Sequence, residues 1–126
     1  MPRRSDHVQQ ARLNRDLAHH LLMVTSGSQP AVADPALQWA VTASFYAAVH
    51  AVEAHFAQLG VHHQTHAQRE RDMDRDATTP PAIRGDYRQL KAWSIHARYD
   101  CRQFTAQYVT TNLLPVLVNI LTHFGI

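Results

Sequence analysis

Apolar positions along the chain recur at intervals of three and four, and no segment alternates convincingly with period two. That pattern predicts helices throughout. Leu13, Leu17, Leu21 and Met23 or Val24 give an apolar side to a first helix that Ser5 caps and that runs to about Val24. Ser26-Gly27-Ser28-Gln29-Pro30 breaks it. Asp34-Pro35 then places a capping carboxylate before a proline at the first helical position, and Gly60 stops the second helix after Leu59. Leu37, Val41, Ala48, Val52, Phe56 and Leu59 form one side of this helix, and Trp39, Ala43, Tyr46, His50 and Glu53 form another. No charge occurs between Asp34 and Glu53. A helix apolar on nearly all sides belongs in the middle of a bundle.

Thr65 and Gln68 fit a capping box that opens a short, densely charged helix over about 66–76. Thr79-Pro80 starts the next helix, which runs to Tyr99 with Ile83, Tyr87, Leu90, Ser94 and Ala97 as its small or apolar stripe. Thr105 caps a last helix to Phe124, with Val109, Leu113, Val116, Leu117, Ile120 and Phe124 buried and Pro115 bending it. The predicted fold class is all-α: a single domain, 1–126, built as an up-and-down bundle of four main helices plus one short one.

Composition narrows the picture. With 126 residues the chain has the size of one domain, and its 4 glycines argue against a turn-rich all-β fold. A single cysteine excludes an internal disulfide and a cysteine-based zinc cluster. Arg3 and Arg4 have no apolar run behind them, which argues against a secretory signal. The uncharged stretches 35–52 and 103–126 contain too many polar residues to make good membrane spans. The expectation is a cytoplasmic protein with no membrane contact.

The net charge of +2 is unevenly spread. Residues 1–30 carry +2, residues 31–81 carry −3, residues 82–102 carry +3, and residues 103–126 carry none. Arg84, Arg88, Lys91, Arg98 and Arg102 form a basic stripe on helix four. Such a stripe suits phosphate, whose oxygens match the guanidinium fork. The plainer reading is a solvated face paired within the chain, with partners such as Asp86 and Asp100. The uncharged last helix points to a homodimer surface, or to an exposed Thr/Asn/Gln face that needs no second chain.

Ten histidines raise metal and acid–base chemistry. His50 and Glu53 share a face of the second helix, and His62, His63 and His66 cluster beside Gly60. A mononuclear zinc site from His50 and two loop histidines is geometrically feasible, but the di-iron pattern of paired Glu-x-x-His helices is absent. No metal ligand and no cofactor is assigned. His7, His19, His20, His55, His96 and His123 read as surface or boundary residues. His66 and Arg69, three apart on the short helix, are the candidate catalytic pair, with proton transfer by the imidazole and phosphate binding by the guanidinium. The competing reading has His66 capping its helix and Arg69 paired with an acid such as Glu53.

Phe45-Tyr46-Ala47-Ala48-Val49-His50-Ala51-Val52-Glu53-Ala54 is similar to a helix of the HEPN domain family. The resemblance continues through Gly60, His66-x-x-Arg69, Tyr87-x-x-Leu90 and Ala97-Arg98-Tyr99-Asp100, in order across about 34–104. It implies a four- or five-helix bundle, often homodimeric. Members are metal-independent endoribonucleases, RNA-binding modules, or partners of small nucleotidyltransferases in toxin–antitoxin and defence systems. The nucleases carry Arg, four to six residues, then His near the start of the last main helix, and this chain has no such pair there.

The expected function is therefore an RNA-, nucleotide- or partner-binding module. Tyr46, His50, Glu53, Arg88, Arg98 and Tyr99 are its expected binding residues, with His66 and Arg69 carrying any cleavage. The alternatives are a metal-independent endoribonuclease and, more weakly, a histidine-based metalloprotein.

Overall fold

The computed structural model describes residues 1–25 and 35–126, and within them every regular element is a helix. The elements are α1 (Arg4–Thr25), α2 (Pro35–Ala57), α3 (His66–Arg75), α4 (Pro81–Tyr99), α5 (Ala106–Tyr108), a π-helical turn (Val109–Leu113) and α6 (Leu114–His123). The predicted break at 26–30 and the Asp34 cap lie outside the described residues.

Helix α2 is the centre, as the absence of charge before Glu53 predicts: 15 of its 23 residues are buried. The core joins Val41, Phe45, Val52 and Phe56 of α2 to Tyr87, Leu90 and Trp93 of α4 and to Leu113, Leu117 and Ile120 of the last helix. None of the described helices is long and apolar enough to cross a membrane.

Helix α1 packs along α2, but not with the predicted side. Its buried residues are His7, Ala11, Ala18 and Thr25. Leu13 and Leu17 stay 53% and 47% exposed. The small Ala11 and Ala18 let two helix backbones approach, and at about 100° per residue Leu13 and Leu17 point well away from that line. Ser5 lies inside the helix rather than capping it. The Arg3 amide donates to Asp6 Oδ2 at 2.8 Å, so the first turn is closed from within.

The remaining boundaries follow local chemistry. Helix α2 ends at Ala57, two residues early, because Gly60 adopts φ 73° and the Val61 amide returns to the Phe56 carbonyl at 3.0 Å. Leu59, placed by the sequence on one apolar side of the second helix, sits in that turn and is exposed. Thr65 accepts from the Gln68 amide at 3.2 Å, and Gln68 Oε1 accepts from the Gln64 amide at 3.0 Å, so the capping box forms one residue wide of its ideal return.

Helix α4 starts at Pro81, with Pro80 at the cap. Thr79 is unavailable as a cap because its hydroxyl donates to Asp76 Oδ2 at 2.8 Å. Asp76 also accepts from Thr78 and from His55 Nε2. Burial acts to raise the Asp76 carboxyl, but these bonds outweigh it and hold the group well below the ordinary range. They tie the α3–α4 turn to the end of α2.

Thr105 caps the last helix as predicted, accepting from the Tyr108 amide at 3.0 Å. Pro115 has no amide hydrogen and crowds the preceding turn. The chain accommodates it through the π-helical turn, in which the Leu114 amide bonds the Val109 carbonyl. Thr110, Thr111, Asn112, Asn119 and Thr122 are exposed on this helix. An uncharged polar face accounts for the missing charge without a second chain.

Candidate functional site

Glu53 of α2 and Arg69 of α3 meet at the polar centre of the molecule. Arg69 Nε donates to Glu53 Oε1 at 2.6 Å, and both side chains are buried. His63, from the loop between α2 and α3, bridges Glu53 Oε1 at 2.8 Å through Nδ1 and Asp72 Oδ2 at 2.9 Å through Nε2. Burial pushes the Glu53 carboxyl up, but the bonds from Arg69 and His63 together hold it below its ordinary value. The buried Tyr87 hydroxyl lies beside the Arg69 guanidinium, and burial pushes its pKa up to about 12.

His66 stands at the edge of the centre. Arg69 Nη1 lies 2.9 Å from His66 Nδ1. A guanidinium only donates, so Nδ1 is the unprotonated nitrogen and Nε2 carries the hydrogen. Burial, reinforced by Arg69, Lys91 and Arg98, lowers the pKa of His66. At neutral pH it is an uncharged ring offering one N–H donor, and its lone pair is already taken. Of the competing reading, the Arg69 half is present, since Arg69 is buried and paired with Glu53, and the His66 half is not, since Thr65 caps the helix and His66 faces Arg69.

A second pair joins α1 to α2. His7 Nδ1 and His50 Nδ1 lie 3.0 Å apart, with the rings tilted across each other. One nitrogen donates and the other accepts. Burial lowers the pKa of both rings, with Glu53 opposing it in each. His7, read from sequence as a boundary residue, is thus buried and paired. The histidines of the zinc reading do not converge: His50 faces His7, His63 faces Glu53 and Asp72, and His66 faces Arg69. Among the described residues no group of three or more His, Cys, Asp or Glu side chains is placed to hold a metal ion.

The basic stripe of α4 divides into two parts. Arg88 Nη2 donates to Asp74 at 2.7 and 2.8 Å, Lys91 Nζ donates to Glu70 at 2.6 Å, and Arg84 lies 3.9 Å from Asp74. These three cations are matched by the acidic face of α3, not by Asp86 or Asp100. Asp86 instead accepts from Asn119, and Asp100 is bonded to His96.

Arg98 and Arg102 have no carboxylate partner among the described residues. Arg98 Nη1 donates to the Tyr46 hydroxyl at 3.3 Å, and its guanidinium carbon lies 5.7 Å from the Tyr46 ring centre and 5.2 Å from that of Tyr99. Arg102 lies over Phe104 and Tyr108.

Around Arg98 the surface is concave. A pocket of about 340 Å³ is lined by Gln38, Trp39, Thr42, Ala97, Arg98 and Tyr99. Trp39 is 61% exposed and Tyr99 71% exposed. The structure thus brings Tyr46, Arg98 and Tyr99 together, and His50, Glu53, Arg69 and His66 into the neighbouring polar centre, while Arg88 points to α3. Sequence reasoning missed Trp39 and Gln38 as site residues. Trp39 sits seven residues before Tyr46, two helical turns along one face, which is the only signal that linked it to this site.

No protein-family model, no curated protein and no solved structure matches the chain.

Proposed function

We propose that the chain is a HEPN-like module that binds RNA or a nucleotide at the pocket around Arg98. One observation carries the reading. Arg98 is a cation without a carboxylate partner among the described residues, set between the half-buried Tyr46 ring and the exposed Tyr99 ring in a pocket. Phosphate fits the guanidinium and a base fits the rings, whose faces stack without regard to base identity. Arg84, Arg88 and Lys91 are already neutralised by α3 and add little.

Binding is better supported than cleavage. A general base needs a free lone pair, and that of His66 is occupied by Arg69. A neutral imidazole N–H is a weak acid at pH 7, so His66 as it stands donates a hydrogen bond rather than a proton. Homodimerisation belongs to the same proposal, supported by the exposed apolar side chain of Val118 on the last helix.

The test uses labelled single-stranded RNA in EDTA. The proposal expects retention of intact RNA and its loss in Arg98→Ala. Cleavage in EDTA that His66→Ala abolishes, with folding intact, would replace the module by an endoribonuclease.

A further inference from the structure

Trp39 divides two adjoining concavities. On one side is the Arg98 pocket. On the other is a groove of about 530 Å³ between α1 and α2, lined mainly by apolar side chains including Leu17, Leu21, Ala43 and Tyr46. Trp39 and Thr42 line both. Tyr46 walls the groove while its hydroxyl accepts from Arg98, which walls the pocket. One guanidinium therefore stands at the junction of two spaces, each with an aromatic wall.

We infer that this double site takes a dinucleotide step of single-stranded nucleic acid, with one base on each side of the Trp39 indole and the linking phosphate on Arg98. The inference rests on the binding reading above and specifies its ligand. A lone nucleotide has one base and fills one of the two spaces. Two successive bases fill both and leave a single phosphate between them, which matches one unpartnered cation at the junction. A wedge of this kind needs a rigid, exposed ring, and an indole is the side chain with the largest stacking face. The second tryptophan, Trp93, is buried and cannot serve.

The two ligands to compare are uridylyl-uridine and uridine monophosphate, read by the backbone amide and indole N–H signals of the labelled wild type and by the backbone amide signals of the Trp39 variant. The monophosphate carries more negative charge, so charge alone favours it over the dinucleotide. The inference expects the dinucleotide to bind at least about tenfold more tightly, which is the scale of one added base stack. It expects that advantage to vanish in Trp39→Ala, whose exposed position leaves folding intact. Equal binding of the two ligands, or tighter binding of the monophosphate, overturns the two-base site while leaving nucleotide binding in place. No shift of the Trp39 signal with either ligand at millimolar concentration overturns both.

Discussion

Arg69 Nε donates to Glu53 Oε1 over 2.6 Å, sixteen residues apart in sequence and buried on both sides. This pair fixes α3 to the central helix. It also aims Nη1 of Arg69 at His66 and so decides which ring nitrogen of His66 faces outward. A residue read from sequence as a phosphate ligand is thus the pivot of a structural centre.

Truncating one partner leaves the other charge buried and alone. Glu53→Ala should cost about 3–5 kcal/mol in denaturant unfolding. It also strips His63 of an acceptor. Glu53→Gln keeps an acceptor oxygen and should cost less. A double variant that also replaces Arg69 by Met should be more stable than the sum of the two single losses predicts, because no lone charge remains.

Arg88 and Arg98 lie on the same helix and should behave differently. Arg88 is spent on Asp74 and Glu70 in a half-exposed network. Arg88→Ala should lower stability by no more than about 1 kcal/mol and leave RNA affinity nearly unchanged. A loss of affinity equal to that of Arg98→Ala, measured by the same titration, would show that the α3 acids release Arg88 when RNA arrives.

Stability should fall on mild acidification. His7, His50 and His66 all have folded pKa values below the ordinary 6.5. Below pH ~6.5 the unfolded chain takes up protons that the folded chain refuses, so stability is full above that value and declines as pH drops until the folded rings protonate. Glu53 is lowered from 4.5 and adds a further loss only below that pH. Denaturation midpoints between pH 7.5 and pH 5.5, as test conditions on either side of the ordinary histidine pKa, should fall in the wild type. The slope should be smaller in His7→Phe, which removes one ring of the α1–α2 pair. An unchanged midpoint in the wild type would contradict the buried neutral state of these rings.

Light scattering should give a mass near twice 14.3 kDa if the uncharged last helix meets a second chain. A mass of 14.3 kDa at micromolar concentration would remove the dimer from the proposal.

The helices were legible because their signals are local. Thr65, Gln68, Gly60, Thr105 and the three-and-four spacing of α4 each act within a turn of themselves. The face of α1 was not legible. Leucines outrank alanines in any count of apolar residues, yet close helix packing selected Ala11 and Ala18, a choice made by the partner helix rather than by α1. The site was partly legible for the same reason. Tyr46, Arg98 and Tyr99 were expected to bind ligand, but the division of the basic stripe depends on where α3 folds back, which no spacing within α4 reports. His7 and His50, 43 positions apart, are a contact of the fold alone.

The central claim is that Arg98 makes a phosphate contact. Its most direct test is the salt dependence of single-stranded RNA binding, in EDTA, for the wild type and Arg98→Ala. The account predicts weaker binding by the variant at every salt concentration. It also predicts a log–log slope shallower by about 0.7, the share of one phosphate on a single strand. Equal affinities and equal slopes for the two proteins, with both folded, would contradict it.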